Sequence, residues 1–238
     1  EEAGQDRHGN SHRPGAEVAV EFTALDANQN PVAAEGTVRV TRDTWVEIWL
    51  NDEGREVRGR ELETAKRGPA GLAGWRLKFQ GYEHDHIQTQ TVKTGTNGLA
   101  TLSFTPEREG FYRVTWRSED NPDLEAEIVG RPVKAETTVW VADNRTTELA
   151  FHTGGVKIIA DQETFRAGET APVMLLAEGN DRHVLFTVEG KDLISHELVH
   201  LSGSVKLVQV RIGEQHVPNV RLSATLVTDY RIHQDSQE

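Results

Sequence analysis

Residues 154–227 read GGVKIIADQETFRAGETAPVMLLAEGNDRHVLFTVEGKDLISHELVHLSGSVKLVQVRIGEQHVPNVRLSATLV. Short apolar runs rich in Val, Ile, Leu and Thr recur here, each bounded by a cluster of Gly, Asn, Asp or Pro. That pattern belongs to short antiparallel strands joined by tight turns. Strands are predicted over 156–160, 171–177, 183–189, 193–201, 205–212 and 220–227. Gly179-Asn180-Asp181 supplies residues that tolerate positive φ, as a hairpin requires. Pro218 cannot donate to a ladder and therefore belongs just before a strand. Along 205–212 one alternating face is greasy and the other mixed, which predicts a half-buried strand. The stretch predicts a small β-sandwich.

Working outward, 238 residues exceed one such sandwich and predict two domains. Arg13-Pro14-Gly15-Ala16-Glu17-Val18 opens a period-two strand (EVAVEFTAL). Set beside Arg166-Ala167-Gly168-Glu169-Thr170, it forms a weak internal repeat of basic residue, turn and strand. Residues 36–50 (GTVRVTRDTWVEIWL) predict one long strand or a strand pair. The strongest hairpin signal of the first half is 96–116, opened by Asn97-Gly98, with Pro106 closing its first strand and Glu109-Gly110 starting the second. Residues 137–141 predict a closing strand and 143–147 a linker. Residues 51–74 are charged, then small, without sustained periodicity, and read as an inserted surface loop. Residues 119–132 read as an acidic, turn-rich connection, and 1–12 as a polar lead-in expected to fray. A chain opening at Glu1 without Met is expected to be a piece of something longer.

The segment Thr164-Phe165-Arg166-Ala167-Gly168-Glu169-Thr170, then Leu185-Phe186-Thr187-Val188-Glu189-Gly190 and Pro218-Asn219-Val220, resembles the macroglobulin-like domains of the alpha-2-macroglobulin family. Those domains carry a Y-x-P-G-E turn before a strand, a strand ending T-V-E, and a later P-N-V strand. Phe165 replaces the usual Tyr and Ala167 the usual Pro, each keeping the physical role. In the first half Gly98, Ala100, Phe104, Pro106, Gly110, Tyr112 and Val114 occupy a G-x-A, F-x-P, G-x-Y-x-V run of the same family. The resemblance implies an all-β fold of two tandem antiparallel β-sandwich domains, macroglobulin-like and Ig- or fibronectin-like in layering. They would span 1–143, with the loop inserted near 51–74, and 154–238. It further implies a non-catalytic scaffold pair from a bacterial-type protease-trapping inhibitor, periplasmic or extracellular. Its partners would be neighbouring domains of the parent chain, with target proteases met by the whole parent. Lys66-Arg67 before Gly-Pro-Ala-Gly invites comparison with the family's cleavable bait, although an ordinary surface loop is expected. The family's thioester needs a cysteine, and this sequence contains none.

Composition narrows the function further. A net charge of −12 argues against nucleic acid as a partner, because phosphate binding needs clustered Lys and Arg. It is the charge of a soluble surface. The lack of cysteine excludes disulfides, thiolate metal sites and a Cys nucleophile. No apolar run approaches the ~18 residues that span a bilayer, so direct membrane insertion is not expected, and no signal-peptide pattern is present.

His196-Glu197-Leu198-Val199-His200 matches the H-E-x-x-H zinc motif. That chemistry needs a helix, where one turn brings the two imidazoles onto one metal. On a strand, four residues span roughly 13 Å. Strong strand patterns flank the segment, and Lys206 stands where a third His would serve, leaving only Glu214 or His216 to substitute. A strand is therefore expected, with no catalytic, cofactor or metal site. His84-Asp85-His86 could share one face of a strand but lacks a third ligand, and a solvated loop beside Tyr82 is expected. Trp45, Trp49, Trp75, Trp116 and Trp140 fall on presumed strands and are expected to pack in a core. As a stacking platform they would instead serve a cell-surface adhesion or carbohydrate-binding sandwich. That is the alternative reading, alongside a zinc hydrolase using His196, Glu197 and His200. Asn144-Arg145-Thr146 is a formal glycosylation sequon.

Overall fold

The period-two alternation of the sequence becomes pleated strands. Val18 and Val20 of VAVEFT are buried while Ala19 and Glu21 face solvent. A computed structural model describes residues 11–118, 133–160, 164–228 and 230–238. The expected lead-in over 1–10 and the connection over 119–132 lie outside the described residues. In chain order the first half comprises β1 Ser11–His12, β2 Val18–Thr23, β3 Glu35–Leu50, β4 Glu56–Arg58, α1 Gly59–Arg67, β5 Arg76–Lys93, β6 Leu99–Phe104, β7 Gly110–Ser118 and β8 Lys134–Val141. The second half comprises β9 Val156–Ala160, β10 Thr170–Ala177, β11 Arg182–Glu189, β12 Leu193–Leu201, β13 Val205–Arg211, β14 Arg221–Thr228 and β15 Arg231–Gln237.

The fold is all-β, two sandwiches in tandem. In the first, the order β1-β8-β7-β3-β4, with β5 on the other edge of β3, faces the pair β2-β6. In the second, β12-β11-β14-β15 faces β13-β10-β9. The internal repeat extends to topology. The run β5-β3-β7-β8 matches β12-β11-β14-β15, and β6-β2 matches β13-β10. The two turns correspond as well. Ala16 N–H donates to Arg13 O and Glu169 N–H to Arg166 O, both at 3.1 Å. Gly15 and Gly168 take the left-handed φ values of 80° and 93° that each turn needs. Each sandwich has its own core: Val18, Val38, Val40, Leu102, Tyr112 and Val114 in the first, and Ile158, Val173, Leu175, Val184, Leu201 and Leu226 in the second.

Three readings of the sequence change. Residues 96–116 do not form a hairpin, because β6 pairs with β2 while β7 pairs with β3 and β8. Asn97-Gly98 lies in a tight turn, with Gly98 N–H donating to Gly95 O at 2.9 Å, but a turn does not decide which sheet the next strand joins. Residues 36–50 follow the first of their two expected readings, lying in a single 16-residue strand. Residues 51–74 contain β4 and α1 rather than an unstructured loop. A nine-residue helix is marginal alone. This one has Glu61 in its first turn and Lys66 and Arg67 in its last, matching the dipole, and it buries Leu62. His84-Asp85-His86 lies on β5, paired with β3, instead of in a loop.

Because β7 covers β3 only from Gly36 to Asp43, the remainder of β3 runs on with β5 as a two-stranded ribbon. β4 pairs with its last residues, Ile48–Leu50, and α1 packs there too.

Candidate functional site

The sequence leaves one sheet with two apolar faces, and that sheet builds the site. β10 (TAPVMLLA) is apolar without alternation, the mark of a strand covered on both sides. Ala171, Val173 and Leu175 join the second core, while Met174 and Leu176 face away from it. β13 divides in the same way: Val208 and Val210 face the second core, Val205 and Leu207 the opposite side. The expected half-buried strand is thus used on both faces. Those outward residues meet Phe111 of β7 and Trp140 of β8, with Ala142, Leu149 and Phe151 of the connecting segment, in a third apolar cluster. This cluster is the seam between the two sandwiches.

Aromatic rings fill the seam. Phe111 lies 4.8 Å from Trp140 and 5.2 Å from Phe151, and Trp140 lies 4.8 Å edge-on to Phe151. From the ribbon, Trp45 stacks on His152 at 4.3 Å and 13°, and Tyr82 packs edge-on to Trp45 at 5.0 Å. The Tyr82 hydroxyl accepts from the His152 N–H at 3.3 Å. The connection is hydrogen-bonded to both sides. Trp45 N–H donates to Ala150 O at 2.7 Å, Val205 N–H to Thr147 O at 3.1 Å, and Ser204 Oγ to Glu148 Oε2 at 2.7 Å.

Beneath the rings lies a buried carboxylate. The Asp43 side chain has no exposed surface and accepts from Thr41 Oγ1 at 2.8 Å, His84 Nδ1 at 2.7 Å and Arg113 Nε at 2.7 Å. Burial pulls the Asp43 carboxyl up, but the bonds from His84, Arg113 and Thr41 outweigh it and hold it below the usual carboxylate value. Burial pulls the Arg113 guanidinium down, and Asp43 and Glu136 more than reverse this. Arg113 also pairs with Glu136 and lies 5.7 Å over the Phe111 ring. On the ribbon, burial raises Glu47, but Lys66, at 2.9 Å, and Trp49 lower it overall. The chemistry of this arrangement is cohesion: donors saturate a buried anion, and rings lock a connection between two rigid sheets.

The zinc-motif residues lie elsewhere, on β12, which is extended as the flanking pattern predicts. His196 stands opposite Thr187 and Glu197 opposite Phe186. His200 Nε2 lies 2.8 Å from Asp181 Oδ1, and its ring stacks on His183 at 4.7 Å. Lys206 belongs to β13 in the other sheet, and Glu214 and His216 bound a short 3-10 turn. His216 is buried, with Nδ1 accepting from Gly213 N–H at 2.9 Å. Among the described residues, no group of three or more His, Cys, Asp or Glu is arranged to hold a metal ion.

The tryptophans divide. Trp140 is buried in the seam and Trp116 packs against the first core. Trp45 stacks in the seam, Trp49 Nε1 donates to Glu47, and Trp75 precedes β5. Asp43, Arg113, Phe111, Phe151 and His152 were not singled out by the sequence. No local signal marks Asp43, which lies among the polar residues Thr41, Arg42 and Thr44 and reads as part of a solvent-facing run.

No family model matches the chain. It is 24% identical over 140 residues to an alpha-2-macroglobulin homologue of Nostoc sp., covering 58% of this chain and 7% of that protein. The native Escherichia coli alpha-2-macroglobulin aligns over 95% of this chain and 13% of that one, at 15% identity and a TM-score of 0.35. The same protein activated by porcine elastase aligns over 94% and 22%, at 14% identity and a TM-score of 0.33. The chain thus spans a small fraction of the relatives it matches. Among the described residues, no helix is long and apolar enough to cross a membrane. In sequence the chain is thus similar to an alpha-2-macroglobulin homologue over the 140 residues that align.

Proposed function

We propose that the chain is a non-catalytic scaffold of a longer alpha-2-macroglobulin-like protein. Its two macroglobulin-like units, 1–143 and 154–238, form one stiff piece of a protease-trapping cage. The observation that carries this reading is the seam. Its rings, with hydrogen bonds from Trp45 and Val205 to the same connecting segment, favour the two sandwiches moving together. A cage wall needs that property, because collapse around a captured protease must be transmitted and not absorbed at a joint. The partners are then neighbouring domains of the parent, and proteases are met by the parent as a whole. The setting is periplasmic or extracellular.

The test uses the full-length parent protein. Phe111→Ala with Phe151→Ala loosens the seam while sparing both sandwich cores. Trapping is read as protection of a large protein substrate from an added protease whose small chromogenic substrate is still cleaved. The expected outcome is a several-fold loss of that protection. Undiminished trapping by a protein whose seam has opened, read by hydrogen exchange over 143–152, would sink the scaffold reading.

A further inference from the structure

Six strands of each sandwich pair alike, but the strand that precedes them, β1 in the first and β9 in the second, does not. In the second sandwich, β9 pairs antiparallel with residues 173–177 of β10, Val173 opposite Ala160 and Ala177 opposite Val156. Aligning the two turns sets Arg13 on Arg166, so positions 173–177 correspond to 20–24. Among the described residues, β2 pairs only with β6, and the edge corresponding to the seat of β9 carries no strand. The first strand of this sandwich, β1, instead runs parallel to β8 at Trp140 and Val141.

Among the described residues, a groove lies where that strand would sit. The groove, of about 810 Å³, lies along residues 20–25, the end of β2 and the two residues after it, with Val114 and Trp116 of β7 and Ala135 and Thr137 of β8 also lining it. Its volume falls in the range of specific binding clefts. The N–H of Val32, bonded to Ala24 O at 3.1 Å, closes one end. A strand edge offers alternating N–H and C=O groups, which only another extended backbone satisfies throughout. The apolar lining asks for apolar side chains at alternate positions. Among the described residues the charged ones lining it are Glu21, Glu35 and Glu136; Glu35 pairs with Lys93 and Glu136 with Arg113 and Lys134, so it is Glu21, on the outward face of β2, that favours a basic residue beside it. The strand filling the equivalent place in the second sandwich, VKIIA, has this character. Val156 and Ile158 point into the core, and Lys157 is exposed.

We propose that the groove beside β2 is a peptide-binding site. It takes an extended, basic segment with alternating apolar side chains as an added antiparallel strand. This goes beyond the scaffold role and does not depend on it.

Fluorescence anisotropy of the 238-residue chain with a labelled peptide bearing the VKIIA sequence between lysines tests the site. Saturable binding is expected, weakened at least tenfold by Ala135→Trp or Thr137→Trp, each at an exposed position of β8 facing the groove. Melting temperatures of both variants serve as the folding control. Binding should also be lost when alternate peptide nitrogens are methylated, which removes the donors but keeps the side chains. Absence of saturable binding, binding unchanged in both folded variants, or equal binding of the methylated peptide would overturn the site. So would slow hydrogen exchange across 119–132 in peptide-free protein with β2 equally protected, since the chain itself would then fill the groove.

Discussion

Arg113 Nε donates to Asp43 Oδ2 at 2.7 Å, joining β7 to a β3 carboxylate that has no exposed surface. Removing the donor is worse than neutralising the acceptor, because it strands a charge away from water. Arg113→Met should cost about 3 kcal/mol, since breaking a buried pair costs 3–5 and Arg113 keeps some solvent contact. Asp43→Asn keeps an acceptor for Arg113, which retains Glu136, and should cost about 1 kcal/mol. Urea unfolding of the two variants measures the difference. Equal losses would mean that the carboxylate finds water when Arg113 is gone.

Acidity tests the same group. The folded Asp43 carboxyl is held below its usual value, so the folded state binds that proton less readily than the unfolded chain. Its contribution is fully present above the unfolded value of about 3.9 and is lost as pH falls through the folded one. In Asp43→Asn, stability should therefore fall less steeply below about pH 4 than in the unsubstituted chain. Parallel acid-unfolding curves for the two proteins would remove Asp43 as a contributor.

Both predictions concern a residue that local sequence patterns do not find. Period two reads β2, β11 and β14 well, because one face is wet and the other dry. The same logic fails where a strand crosses from core to seam. β13 places Val205 and Leu207 in one apolar environment and Val208 and Val210 in another, and no single-face pattern anticipates the second. The 96–116 segment shows a further limit: its opening turn is legible, but β6 and β7 choose partners far away in sequence. His84 read as loop because its neighbours are polar. β5 is an edge strand whose hydrogen-bonding partner is β3, so it needs little apolar character of its own.

The extended course of β12 separates His196 from His200 by roughly 13 Å along the strand, with His200 beside Asp181 on the surface. Dialysis against a strong chelator should leave the melting temperature unchanged within about 1 °C. His196→Ala should alter stability by no more than about 0.5 kcal/mol, the usual effect at an exposed site. Stoichiometric zinc in protein purified without added metal, or a chelator-induced drop of several degrees, contradicts this.

Met174 and Val173 are neighbours on β10 that serve different cores. Met174→Lys should place a charge in the seam and uncouple the sandwiches, turning one calorimetric transition into two. Val173→Ala should lower the second unit's stability by about 1–3 kcal/mol, the loss of buried methyls plus the cavity they leave, while the units stay coupled. A Met174→Lys protein that melts in a single transition at an unchanged temperature would show that the seam carries no coupling.

Gly203, in the turn from β12 to β13, is needed for closeness. A Cβ there would collide with the carbonyl oxygen of Thr147 and approach Glu148 Oε1 to 2.7 Å. The obstacle includes backbone, so it cannot swing aside as a flexible side chain would. The adjacent Val205 N–H to Thr147 O bond and the Ser204–Glu148 bond depend on the same approach. In Gly203→Ala, hydrogen exchange at Val205 and across 143–150 should therefore accelerate at least tenfold. Exchange at Leu175 and Val184, deep in the second core, should stay unchanged. If Val205, 143–150, Leu175 and Val184 all accelerate together, the turn supports the whole sandwich and not only its attachment to the connection; if none does, the connection is held by the rings alone.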